Sequence, residues 1–317
     1  MRTSVKPLFA VPARIPKARS LPGSLSSLLL VLALLPSPGA AQPQMFRSIK
    51  LSEPDMRPES ITSGKDGSVY FGSMASGTIY RAAPGAAVAE PWIRAESAGL
   101  SNVLGVLAHD ASNTLWVCQN STGGSNGAPV VGQTALRSFD LATGEPRASY
   151  PFPGNGGLCN DIAVADDGTV YATETVPNRI IRLRPGAAAV DVWFSDSRLG
   201  SADGIALLSD GAVYTNGFRG NGFFRIPVNA DGSAGTLEVL ETTLPLDRPD
   251  GLRPVGPDKL LQAEQGGRLA ELTIKGNRAE MRVIQTGLTR ASALTLVGDE
   301  VVVLLDFESA VRVPYKQ

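Results

Sequence analysis

Residues 160–174 read NDIAVADDGTVYATE, and this stretch decides the fold. An alternating apolar run leads into Asp167-Gly168, a second apolar run carries Tyr171, and the segment ends polar at Glu174. Asp-Gly closes a tight hairpin because glycine accepts positive φ, so the segment reads as two short antiparallel strands. The same reading fits ESITSGKDGSVYFGS from Glu59, DGIALLSDGAVYTNG from Asp203 and DGLRPVGPDKLLQAE from Asp250. Tyr70, Tyr171 and Tyr214 follow their leading residues by eleven positions, and Leu261 takes that place in the Asp250 copy. Gly105 with Trp116 and Ser292 with Val303 keep the same offset, which gives six units of roughly 45 residues.

Each unit continues with a Gly/Asn turn and a third run, and the linkers hold a fourth, less regular run such as Val190 to Phe194. Six units of four antiparallel strands predict an all-β, six-bladed β-propeller with four-stranded blades around a central channel. A β-sandwich would not hold one offset across six copies. The segment Phe46 to Leu51 precedes the first unit and is expected to supply a strand to the last blade, closing the ring.

The first 41 residues stand apart. Arg2, Lys6, Arg14, Lys17 and Arg19 precede an apolar run from Leu28 to Leu35 and the small residues Gly39, Ala40 and Ala41, with no acidic residue. That order is a basic n-region, a short h-region and a cleavage site, and the run is too short to span a bilayer. Residues 1–41 are therefore expected to be a signal peptide cleaved near Ala41–Gln42, and residues 42–317 one propeller domain, periplasmic or secreted. Without the leader, 24 basic residues face 30 acidic ones. No Lys/Arg run remains to hold phosphate backbones, so nucleic acid is not an expected partner; neither is a membrane once the leader is removed, and a monomer is expected.

Cys118 and Cys159 are the two cysteines, and they could form a disulfide or remain buried thiols. The single histidine, His109, reads as a solvated turn residue, which argues against a His-ligated zinc or a catalytic triad. The Gly/Ser/Asn-rich stretch from Ser121 to Gly132 is either a lid over one face or a passive hairpin loop.

Equivalent positions in a closed ring face a common axis. The leading positions hold Glu59, Gly105, Asn160, Asp203, Asp250 and Ser292, so Glu59, Asn160, Asp203 and Asp250 converge. Three carboxylates and an amide repel without a counter-charge, and a hard divalent cation removes the conflict: Ca2+ first, then Mg2+ or Mn2+. Residues fourteen after each leader should rim the same face: Ser73, Gln119, Glu174, Gly217, Glu264 and Asp306. A cation with open positions polarises an ester carbonyl or a phosphoryl oxygen, and Asp250 is the candidate base or nucleophile.

At Pro58-Glu59, Asn160-Asp161, Asp203-Gly204-Ile205-Ala206 with Asp210-Gly211, and Pro249-Asp250-Gly251, the chain resembles the SMP-30/gluconolactonase family of calcium-dependent six-bladed propellers. The resemblance covers the mature chain and extends to phosphotriesterase and paraoxonase-like members. It implies that Glu59, Asn160, Asp203 and Asp250 gather around one metal, with Asp250 as base or nucleophile. Asp203 stands where the family usually has Asn, which adds charge and should tighten cation binding. Leu158 stands where sugar-lactone members carry an Arg, which makes gluconolactone a poor fit and points to a more apolar lactone or ester. The paraoxonase His pair is absent too. The expectation is an exported metal-dependent hydrolase of a small-molecule lactone or ester, with organophosphate hydrolysis by the same ligands as a variant. A different class is a non-catalytic propeller that binds a peptide, glycan or protein, with calcium as a structural ion.

Overall fold

The structure, a computed structural model, describes residues 47–122, 133–154 and 157–316. The expected signal peptide, Phe46 and the greater part of the Ser121 to Gly132 stretch lie outside the described residues. The fold is all-β. Its helical pieces among the described residues are the turn-length Ala95–Ala98, Asp110–Ser112 and Ser197–Leu199, and none is long and apolar enough to cross a membrane.

The chain winds outward repeatedly as antiparallel meanders. Three of them form separate sheets starting at Val103–His109, Cys159–Val164 and Ala202–Leu207, each of four strands. Each meander follows the predicted order, with the Asp-Gly pairs at the hairpins. Gly67, Gly168 and Gly211 have φ of 84°, 86° and 74°, while Asp66, Asp167 and Asp210 accept the backbone N–H two residues on. The first strands of successive meanders, from Pro58–Ser63 round to Ala293–Val297, neighbour one another in cyclic order, and the last returns to the first. This is a β-propeller arrangement, with the innermost strands around an axis.

The sheets depart from uniform four-stranded blades in two places. The meander starting at Pro249–Pro254 gains a fifth strand, Glu241–Thr242, which pairs in parallel with Arg278 and Ala279. The preceding meander ends in a strand of only two residues, Glu238–Val239, so the linker continues onto the neighbouring sheet and covers its open edge. The second departure is an eight-stranded sheet. Ser48–Leu51 pairs antiparallel with Ser309–Val311, as expected for closure, and also in parallel with Val88 and Ala89. The first and last meanders are thereby joined into one sheet.

Burial explains the repeated Tyr offset. Tyr70, Tyr171 and Tyr214 are buried between neighbouring sheets, and each packs on an aromatic ring: Trp92, Trp193 and Phe223. Sheets that pack on both faces need apolar residues on both, and Val69–Ser73 is buried at every position. Truncating a side chain such as Phe139 in one of these layers costs about 3–5 kcal/mol.

Candidate metal centre

The innermost strands are not regular where they meet the axis. In five of them the pairing slips just after the first residue: between Pro58 and Ser60, Val103 and Val106, Cys159 and Ile162, Ala202 and Ile205, and Pro249 and Leu252. Each slip releases the leading residue from the ladder, and a bulge of this kind re-aims its side chain. Glu59, Asn160, Asp203 and Asp250 all lie in such bulges.

The structure brings them together. Glu59, Asp203 and Asp250 offer carboxylate oxygens within 4.8 Å of one another, and all three are buried. Asn160 joins them, its Nδ2 donating to Asp203 Oδ2 at 3.1 Å and to Thr175 Oγ1 at 3.2 Å. The four line a cavity of about 10 Å³, enough for roughly one water-sized occupant. Asp203 Oδ1 is buried without a hydrogen-bond partner. Burial, followed by the charges of Asp203 and Asp161, pushes the Glu59 carboxyl well above its usual range. Burial does the same to Asp250, reinforced by Asp203 and Glu59, while the Asp203 carboxyl is pushed up to about 7. Crowded buried carboxylates with an orphaned oxygen and room for one ion are the donor set of a hard divalent cation. The residues present fit such a group.

Neighbours without a predicted role complete the centre. Asp161, beside Asn160, accepts from Arg253 Nη1 at 2.7 Å and from the Ile205 N–H at 3.2 Å, so it ties three successive meanders together. Arg253 is the positive charge of the cavity and offsets a part of the rise in the Glu59 carboxyl. Gln265 Nε2 donates to Asp250 Oδ2 at 2.7 Å. Asn216 accepts from the Gly204 N–H and donates to the Asp250 carbonyl, bracing the two bulges that carry Asp203 and Asp250. Asp161 stood in the quoted motif without a role of its own; the other three follow from no sequence spacing.

The rim positions have mixed fates. Ser73, Glu174, Gly217 and Glu264 lie at second-strand ends, each paired with the residue just before its leader, and Gln119 ends its strand paired with Val103, two residues before Gly105. Gln119, Glu174 and Glu264 are bonded by Arg137, Arg179 and Arg268 from the next strand. The Ser73 hydroxyl is spent locally on the Met56 carbonyl. Asp306 falls past its strand, exposed in a turn with φ 54°. Leu158 is half-buried directly before Cys159.

Cys118 and Cys159 form a disulfide with Cα atoms 5.2 Å apart, joining two adjacent sheets one residue from Asn160. The Asn120 amide brackets the Cys159 peptide, accepting from its N–H at 2.8 Å and donating to its carbonyl at 2.9 Å. His109 ends its strand at the other end from the leaders, its Nδ1 2.7 Å from Ser112 Oγ.

No family model matches this sequence, and no curated protein sequence matches it. Solved structures do. A protein provisionally assigned as a gluconolactonase superposes with a TM-score of 0.65 at 16% identity, covering 87% of this chain and 96% of that one. A gluconolactonase from Xanthomonas campestris gives 0.63 at 13% identity, with 85% and 88% covered. Virginiamycin B lyase from Staphylococcus aureus gives 0.58 at 15% identity, with 86% and 99% covered. At these identities the likeness is one of fold.

Proposed function

We propose that this chain is a six-bladed propeller hydrolase that opens a lactone or related ester at its axis with a divalent cation, calcium first. The observation that carries the reading is the convergence of Glu59, Asp203 and Asp250 on one ion-sized cavity. The gluconolactonase neighbours support the substrate class. The blade count follows if the eight-stranded sheet is two blades sharing the Ser48–Leu51 seam.

Glu59, Asp203 and Asp250 would hold the cation, with Asn160 turning its amide oxygen toward it. When bound, the ion supplies Lewis-acid polarisation of an ester carbonyl. The rest belongs to the chain. Asp250, whose burial raises its affinity for a proton, accepts one from the attacking water. Gln265 fixes which Asp250 oxygen stays free by bonding the other. The Arg-tied Gln119, Glu174 and Glu264 form a rigid polar wall near the substrate, with Ser73 and Asp306 at its margin and Leu158 as its apolar contact. Export belongs to the same reading, supported by the disulfide, which persists in oxidising compartments.

A scaffold with a structural ion is the second reading, favoured by a cavity that admits an ion and little else. One experiment separates the two: calcium calorimetry on the chelator-stripped protein and an Asp250→Asn variant, beside a lactone and ester screen. One-site binding and a 10²–10⁴-fold loss of turnover in the folded variant are expected (an order-of-magnitude range). Full hydrolysis by Asp250→Asn refutes the mechanism.

A further inference from the structure

At the other end of the ring from the cation centre, four of the innermost strands line a second, partly open cavity of about 160 Å³. Its wall is apolar, built from residues such as Leu107, Ile162, Val164, Ile205 and Leu207. None of the described residues lining it is acidic, and Arg253 brings the positive charge. Arg253 borders both cavities, and its side chain is only 10% exposed. Its Nη1 donates to Asp161 Oδ2 and to the Leu252 carbonyl, both at 2.7 Å, while Nε is buried without a partner. His109, the chain's only histidine, also lines this cavity.

We propose that this second cavity binds a small carboxylate with a short apolar chain, its head on Arg253 and its chain against the apolar wall. A guanidinium presents its N–H groups in a fork that matches carboxylate oxygens, and the uncommitted Nε leaves part of that fork without an acceptor. A buried donor without a partner is uncommon in folded proteins and calls for an explanation. The apolar wall selects against inorganic anions, which would lose hydration there and gain nothing in return. The missing acidic groups select against amines. Size sets the chain length, because an apolar cavity of about 150 Å³ takes a benzene-sized guest and butyrate is of that size. The site is separate from hydrolysis and stands whether or not the axial centre is catalytic.

The test is calorimetric titration of the calcium-loaded protein with sodium butyrate, with n-butylamine as control at matched ionic strength. One equivalent of butyrate should bind and butylamine should not. Arg253→Gln and Ala108→Phe should each weaken butyrate binding at least about tenfold, which corresponds to about 1.4 kcal/mol. Ala108 lines the cavity, so the larger ring fills it. Arg253→Gln breaks a buried ion pair, so Ala108→Phe, which leaves that pair in place, decides the case. No butyrate binding, equal binding of butylamine, or unchanged affinity in Ala108→Phe would each overturn the proposal. The last result would put the carboxylate elsewhere, for example on the axial cation.

Discussion

Replacing Asp203 with Asn removes one of three crowded carboxylates while keeping the shape of the side chain and an oxygen for Asn160 to bond. In the cation-free protein the Asp203 carboxyl sits at about 7 against 3.8 for the free group, raised first by burial and then by Asp161. A raised folded-state value means that the group's contribution is fully present below about pH 4 and is lost as pH rises through 7. The difference of about three units, at 1.36 kcal/mol each, makes ionised Asp203 a penalty of about 4 kcal/mol at about pH 8. Asp203→Asn should therefore stabilise the chelator-stripped protein by up to that amount, or about 8–16 °C in Tm for a domain of this size. The gap should close as pH falls toward 4. Calcium should act in the opposite sense. At a hundredfold excess over Kd it returns about 2.7 kcal/mol to the wild type, and less to a variant short of one ligand. Thermal unfolding by circular dichroism between about pH 4 and pH 8, with chelator and with calcium, reads all three effects. A variant no more stable than wild type in chelator at pH 8, or a gap independent of pH, would refute the reasoning.

Gln265→Leu deletes the bond that lowers the Asp250 pKa, so the base ionises later and the acid limb of kcat/KM should move to higher pH; an unmoved limb excludes Asp250 as the base. Gly105→Ala would set a Cβ 2.2 Å from the Asn160 carbonyl, so urea unfolding should show a loss of about 1–3 kcal/mol and calorimetry a weaker cation site. Cys118→Ala opens a loop with a sequence separation of 41, and the urea midpoint should report a loss of about 4 kcal/mol.

The three carboxylates were legible because repetition amplifies them: one polar residue at a leading position says little, but the same position filled four times points at an axis. The offset could be read without knowing that a bulge lies inside it, since the bulge recurs in five of the six copies. Asp161 and Arg253 were not legible as partners because their pairing spans 92 residues and skips a whole meander. Gly105 shows the converse. It looks like a gap in the ligand set, yet the second innermost strand approaches the third so closely that no side chain fits. The eight-stranded sheet escaped prediction because parallel pairing at Val88 and Ala89 depends on how two sheet edges meet in space.

That seam has a consequence for synthesis. Ser48–Leu51 is made before all the meanders, but its antiparallel partner, Ser309–Val311, is made only after them. A nascent chain therefore carries open strand edges until Ser309–Val311 has been made, and open edges invite pairing with other chains. Loss of the Ser309–Pro314 strand should turn a self-contained ring into a sticky one, so this one strand protects the protein from its own copies.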